Sequence, residues 1–375
     1  MKGDLVIMIN KDRLLSTFME YVQISSESRD EKDMANRLLN DLRILGFDAY
    51  ADEAGKAIGS TGNNVYCFIP GTIDKESLLF SAHMDTVAPG VGIKPYIEDG
   101  YVKSEGNTIL GGDNKAGICA IIEALKTFKE TNIPHRPIEV VFSICEEAGL
   151  LGAKNLDFSK LKSKKAIVVD TGGKVGKIIV QAPGQAKLNA KIIGKASHAG
   201  NAPEMGISAI MVGAEAITNM KLLRVDHETT ANIGTFKGEV ATNIVCPEAI
   251  FKAEARSLNN DKLNNQIDHM TQCLLDAAQK YDAKVEYDVE VSYSSFTIEK
   301  DNELVALVEN KCNKLGFEVT KMPSGGGSDA NIYNKNGLCA INLGNGTELV
   351  HTVDERLNID EFVKITQLVL ELMIS

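Results

Sequence analysis

A chain of 375 residues exceeds what one hydrophobic core usually supports, so two domains are expected, and 44% hydrophobic with 24% charged residues excludes a disordered chain. The 40 Lys and Arg against 51 Asp and Glu leave a formal charge of −11, without a basic run dense enough to neutralise a row of phosphates, so no nucleic-acid partner is expected. No stretch approaches the roughly 20 apolar residues of a membrane span, so no membrane partner is expected either. Seven cysteines, the nearest two 26 residues apart, form neither a CxxC knuckle nor a disulfide framework and read as reduced core residues. The apolar run at positions 5–9 is too short for a signal-peptide core. Both readings point to a cytoplasmic protein.

Along the chain, Met34, Leu38, Leu39, Leu42 and Leu45 recur at helical spacing and Gly46 stops the pattern, which predicts a surface helix over 33–45. The apolar runs SLLFSA, IEVVFSIC and KKAIVV read as buried strands, separated by helical patterns such as 116–128. This alternation predicts an α/β fold with a mainly parallel sheet, whose ligands gather at the carboxyl ends of the strands. Each run ends in metal-capable residues: His83 and Asp85, Glu146 and Glu147, and Asp170.

From 182 to 293 the order changes to strand (186–193), helix (206–220), two strands (232–236 and 242–256), helix (261–280) and strand (284–291). That is a split βαβ order and predicts an inserted α+β domain. The expected organisation is a catalytic domain over 1–181 and 294–375 interrupted by the insert at 182–293. The main sheet should resume through a helix at 302–315 and the LCAINL strand.

In HMDT the period of two places His83 and Asp85 on one side of the strand, where a neutral imidazole is a good zinc ligand and a carboxylate on its other N–H fixes the tautomer. HxD alone is weak and more often marks a satisfied core histidine. GGDNKAG puts Asp113 ahead of a helix, where an N-cap is the simpler explanation; the flanking glycines favour a carboxylate whose two oxygens face different cations. CEEAG places two acids at a strand end. Burying both needs a counter-charge, and alternate directions would let one bind metal while the other acts as general base. With Asp170 and His351 the set becomes two histidines and three carboxylates, suited to a pair of zinc ions about 3.5–4 Å apart. His135, His227 and His269 lie in polar settings and read as solvated.

The combination HMDT, GGDNKAG, CEEAG, VVD, SHAG, GGGSDA and HTVDE resembles the dizinc metallopeptidase family of peptidase T, succinyl-diaminopimelate desuccinylase and the aminoacylases, most nearly its peptidase T-like branch. The match runs from MEYVQISSES to HTVDERLNIDEF, with the insert where the family has its lid. The resemblance implies two Zn2+ per chain, with Asp113 bridging, His83 and Asp170 completing one site, and Glu147 and His351 the other. It implies Glu146 as general base, Asp85 as the clamp on the His83 ring, and a cis peptide after Asp113. In the lid it assigns His198, Asn243 and Arg256 to the substrate carboxylate or the developing oxyanion. It makes the loop containing Gly327 and Ser328 substrate-binding. In some relatives the lid pairs two chains, so a homodimer through the insert is implied as well. The GGGSDAN segment lacks the Arg that many peptidase T sequences carry just before the glycines.

The expected function is hydrolysis of an amide bond in short peptides by a peptidase T-like aminopeptidase or tripeptidase. The alternatives are an N-acyl amino acid deacylase with the same dizinc mechanism and, more distantly, a non-catalytic binding protein on the same fold. No GxGxxG opens a helix after the first strand, which argues against a Rossmann dehydrogenase.

Overall fold

The computed structural model describes residues 9–374, so of the N-terminal apolar run only Ile9 is described. The chain divides into two compact units: Met1–Val180 with Thr297–Ser324 and Ser328–Ser375, and Gln181–Phe296 with Gly325–Gly327. The loop 325–327 thus groups with the insert, whereas its place in the sequence suggested the catalytic segment.

In the first unit four strands run parallel in the order Ile138–Ser143, Leu78–His83, Lys165–Thr171 and Cys339–Gly344. Val65–Ile69 and Ala49–Ala51 extend the sheet antiparallel on one side, and Lys177–Ala182 on the other. Ile138–Ser143 and Leu78–His83 are buried along their whole length, as continuous apolar runs require. Neighbouring residues on one strand reveal the two covering layers. Ala82 faces the helix Gly112–Thr131, where a Cβ on Gly117 would meet the Ala82 side chain at 3.2 Å and the Val169 carbonyl at 2.1 Å. Ser81, pointing the other way, hydrogen-bonds at 2.8 Å with the Tyr333 hydroxyl of the helix Asp329–Lys335. Gly117 is therefore glycine because the helix and the sheet backbone approach too closely for a side chain.

Because the four strands are parallel, their carboxyl ends lie at one edge, and His83, the turn after Ser143, Asp170 and the segment after Gly344 meet there. A smaller antiparallel sheet of Thr347–Glu348, Arg356–Asn358, Tyr101–Ser104 and Pro95–Glu98 frames the loop that carries His351.

The second unit is a five-stranded antiparallel sheet in the order Leu223–Arg224, Thr229–Lys237, Glu248–Ser257, Gly184–Ile193 and Lys284–Tyr293, packed on the helices Ala209–Asn219 and Asn260–Lys280. Its core holds Leu188, Ile192, Val212, Phe251, Leu263 and Leu274. Strand pairing begins at Glu248, so the expected strand at 242–256 is too long at its start; residues 242–247 form a turn and loop. Among the described residues no helix is long and apolar enough to cross a membrane.

Candidate metal centre

His83 closes its strand with 2% of its side chain exposed. Its Nδ1 lies 2.9 Å from the main-chain carbonyl of Asp85 and 3.5 Å from Asp85 Oδ1. The main-chain carbonyl, more than the carboxylate expected from sequence, therefore holds the ring. Nδ1–H donating to that carbonyl turns Nε2 toward two carboxylates, Asp113 Oδ1 at 3.1 Å and Asp170 Oδ1 at 3.2 Å. Without a proton on Nε2 three acceptor atoms would face one another, so the cluster is favourable only with a proton or a cation between them. Asp170 Oδ1 is buried and has no hydrogen-bond partner, which suits it to hold a cation. The Asp170 N–H is fixed by Asn342 Oδ1 at 2.9 Å.

Asp113 sits in a turn, where Gly111 has φ +72° and the Asp113–Asn114 peptide is cis, as the resemblance implies. The next residue caps the helix instead, Asn114 Oδ1 accepting the Gly117 N–H at 3.1 Å, so Asp113 is no ordinary N-cap. Its second oxygen, Oδ2, lies 3.3 Å from His351 Nε2, and that nitrogen lies 2.8 Å from Glu147 Oε1. One carboxylate therefore spans two histidine-centred groups, His83 with Asp170 and His351 with Glu147. Donor atoms of His83, Asp113 and Glu147 fall within 4.8 Å of one another.

The adjacent acids are arranged by a turn. Strand pairing stops at Ser143, so the period-two argument for Glu146 and Glu147 no longer applies. Cys145 takes φ +50°, with its N–H and thiol both directed to Glu31 Oε1 at 3.1 and 3.0 Å. Asp85 then accepts the N–H groups of Glu146 at 2.8 Å and Glu147 at 3.1 Å, and the Ser28 hydroxyl at 2.6 Å. Two buried carboxylates, Glu31 and Asp85, thus hold three successive amides.

Burial pushes the Glu146 carboxyl well above the usual range, helped by neighbouring Asp170, Asp329 and Glu147. Burial likewise raises Asp170 to about 7. For Asp113 burial acts upward, but hydrogen bonds from His351 and His83 outweigh it and hold the carboxyl below its usual range. His351 rises to about 10 through its bonds to Asp113 and Glu147. Desolvation opposes a charge on His83, yet Asp170 and Asp113 raise it well above normal.

Other expected residues have local explanations. Ser328 is buried as the N-cap of Asp329–Lys335, its N–H donating to Asn331 Oδ1 at 3.0 Å. Gly327 is glycine because a Cβ there would strike the Tyr293 ring at 2.3 Å. In the second unit Arg256 Nε pairs with Glu254 Oε1 at 2.8 Å. Exposed His198 accepts N–H bonds from Gly200 and Asn201 on Nδ1, both at 3.1 Å, leaving its ring proton on Nε2. Exposed Asn243 gives its carbonyl to the Ala199 N–H at 2.9 Å. His135, expected to be solvated, is buried instead: Nδ1 meets the Arg136 carbonyl at 2.9 Å and the ring stacks on Phe128 at 4.4 Å. Asp329, which ends the glycine-rich segment 325–329 that the resemblance makes substrate-binding, instead has its Oδ2 accepting from Ser143 and its Oδ1 buried without a partner.

Residues 79–375 match peptidase family M20/M25/M40. An uncharacterized protein of Bacillus subtilis, YqjE, is 43% identical over 366 residues, covering 98% of this chain and 99% of that one. A solved tripeptidase from Staphylococcus aureus superposes with a TM-score of 0.95 at 42% identity, covering 98% of each chain. A solved aminopeptidase PepT from Bacillus cereus superposes with a TM-score of 0.91, also at 42% identity and 98% coverage of each. With the acid and histidine cluster assembled at the carboxyl edge of its parallel sheet, this chain belongs to peptidase family M20/M25/M40.

Proposed function

We infer that the chain is a peptidase T-like aminopeptidase, a metallopeptidase that hydrolyses an amide bond in short peptides and serves as a tripeptidase. The observation that carries this reading is Asp113, whose two oxygens lie 3.1 Å from His83 and 3.3 Å from His351. That arrangement supports two Zn2+ per chain, Asp113 bridging, His83 with Asp170 on one side and Glu147 with His351 on the other. Zinc bound there would polarise the amide carbonyl and make a water acidic near neutral pH. Glu146 takes the proton of the attacking water and passes it to the departing amine. Asp85 keeps Glu146 and Glu147 in register through their amides.

Substrate recognition we assign to His198, Asn243 and Arg256 and to the loop of Gly327 and Ser328. A donor at His198 Nε2 supports oxyanion binding, and a guanidinium fork at Arg256 supports binding of a terminal carboxylate. A homodimer through the second unit is part of the reading. The edge strand Lys284–Tyr293 leaves Tyr287, Val289 and Val291 exposed, as a strand awaiting a partner would, and light scattering of the purified chain tests it. A cytoplasmic location agrees with seven free cysteines, six of them buried.

A screen of zinc-loaded protein against tripeptides and N-acyl amino acids tests the function. Release of the N-terminal residue from tripeptides is expected. Turnover confined to acyl amino acids would instead establish the deacylase.

A further inference from the structure

We propose that Glu355 is a positioning residue that sets the bridging carboxylate of Asp113 relative to His351, an inference that rests on the metal centre described above. Glu355 has 2% of its surface exposed and turns inward from the loop that carries His351. Its Oε2 accepts the N–H groups of Leu110 at 2.9 Å and Gly111 at 2.8 Å, and its Oε1 accepts the N–H of Asp113 at 2.9 Å. Three amides of one turn converge on one carboxylate from more than 240 positions away in the chain. Such charge-assisted bonds are about twice as strong as neutral ones, and together they define the orientation of the whole turn.

The glycine pair ahead of Asp113 is explained by this contact. Gly111 supplies the positive φ of +72° that points its amide at Glu355. Gly112 makes room, since a Cβ there would lie 3.2 Å from Glu355 Oε1 and 3.1 Å from the Thr347 methyl. The turn so held gives Asp113 φ −84° and ψ 101°, outside the helical region, and aims Oδ1 at His83 and Oδ2 at His351.

The other end of the tie is equally fixed. Glu355 follows His351 by four residues in the same loop, and His351 itself stands at φ +64°. The base of that loop is closed by Arg356 on Glu348 at 2.6 Å, with the guanidinium 4.4 Å over the Tyr101 ring. Glu355 therefore joins the loop holding one histidine to the turn holding the shared acid, and partners of this kind commonly govern metal affinity.

Cobalt(II) alone is the probe, titrated into metal-stripped full-length protein and followed by visible absorption. Glu355→Gln keeps the size of the side chain but turns one acceptor into a donor facing an N–H. It should weaken cobalt binding on the order of 10–100-fold and alter the absorption envelope while far-UV circular dichroism is unchanged. A merely structural role would lower the melting temperature of metal-free and metal-loaded protein alike and leave affinity alone. Affinity for cobalt within about tenfold of wild type would overturn the role of Glu355. Wild-type protein that binds no cobalt would overturn the metal centre and this role with it. Should Glu355→Gln fail to fold, hydrogen exchange on metal-free wild type decides: slow exchange at Leu110, Gly111 and Asp113 supports the tie, and exchange at unprotected rates overturns it.

Discussion

Asp85 accepts the backbone N–H of Glu146 at 2.8 Å, so the residue expected to orient a histidine also fixes the proposed general base. Asp85→Asn retains one acceptor and presents an amide donor to a backbone donor. Leaving a buried amide unsatisfied costs about 1–3 kcal/mol, and the melting temperature should fall accordingly. Zinc content per folded chain should fall with it, because Glu147 hangs from the other Asp85 oxygen at 3.1 Å. Unchanged zinc content in the folded variant would show that the turn is held by other contacts.

Glu146→Gln tests the proton transfer itself. The amide cannot accept the proton of water, so turnover should drop on the order of 10²–10⁴-fold while metal content stays at the wild-type level. A variant with wild-type turnover would move the role to another carboxylate.

Metal uptake should release protons. In the metal-free chain His351 is raised from 6.5 to about 10 by Asp113 and Glu147, so its imidazole is charged at neutral pH and must lose the proton to act as a ligand. Zinc affinity should therefore rise with pH over the range 6–8, by about tenfold per unit for each proton displaced. The sign reverses for the metal-free fold. A histidine raised on folding contributes stability in full below 6.5, and that contribution is lost as pH climbs through about 10. Calorimetry in buffers of different ionisation enthalpy counts the protons. A proton count of zero at pH 7 would contradict the charged state of His351.

For the second unit, His198→Ala should chiefly lower kcat, by about 10²–10³-fold if its Nε2–H is the oxyanion donor. Arg256→Ala should chiefly raise KM for peptides with a free carboxylate, and this effect should vanish for amidated peptides. Wild-type kinetics in both variants would leave Arg256 as the partner of Glu254 and His198 as the acceptor in its own turn.

The clustering of His83, Glu147 and Asp170 was legible because parallel strands end at a common edge and three of the four lead into metal-capable residues. What escaped was the scaffold around it. Glu31 reaches Cys145 across 114 positions and Glu355 reaches Asp113 across 242, and no local periodicity encodes such pairings. His135 was misplaced because its polar neighbours hid the cover supplied by Phe128. The strands Pro95–Glu98 and Tyr101–Ser104 were missed because they are short and half exposed, with no apolar run to mark them. The loop 325–327 was assigned by sequence order, whereas the room Gly327 leaves for the Tyr293 ring groups it with the insert.

The most direct test is a zinc titration of metal-stripped full-length protein with tripeptide hydrolysis as the readout. An inactive stripped enzyme should regain activity with added zinc and saturate at two zinc ions per chain if Asp113 is shared between two sites as proposed. Full activity in metal-stripped protein, or no tripeptide hydrolysis at any zinc content, would contradict the account.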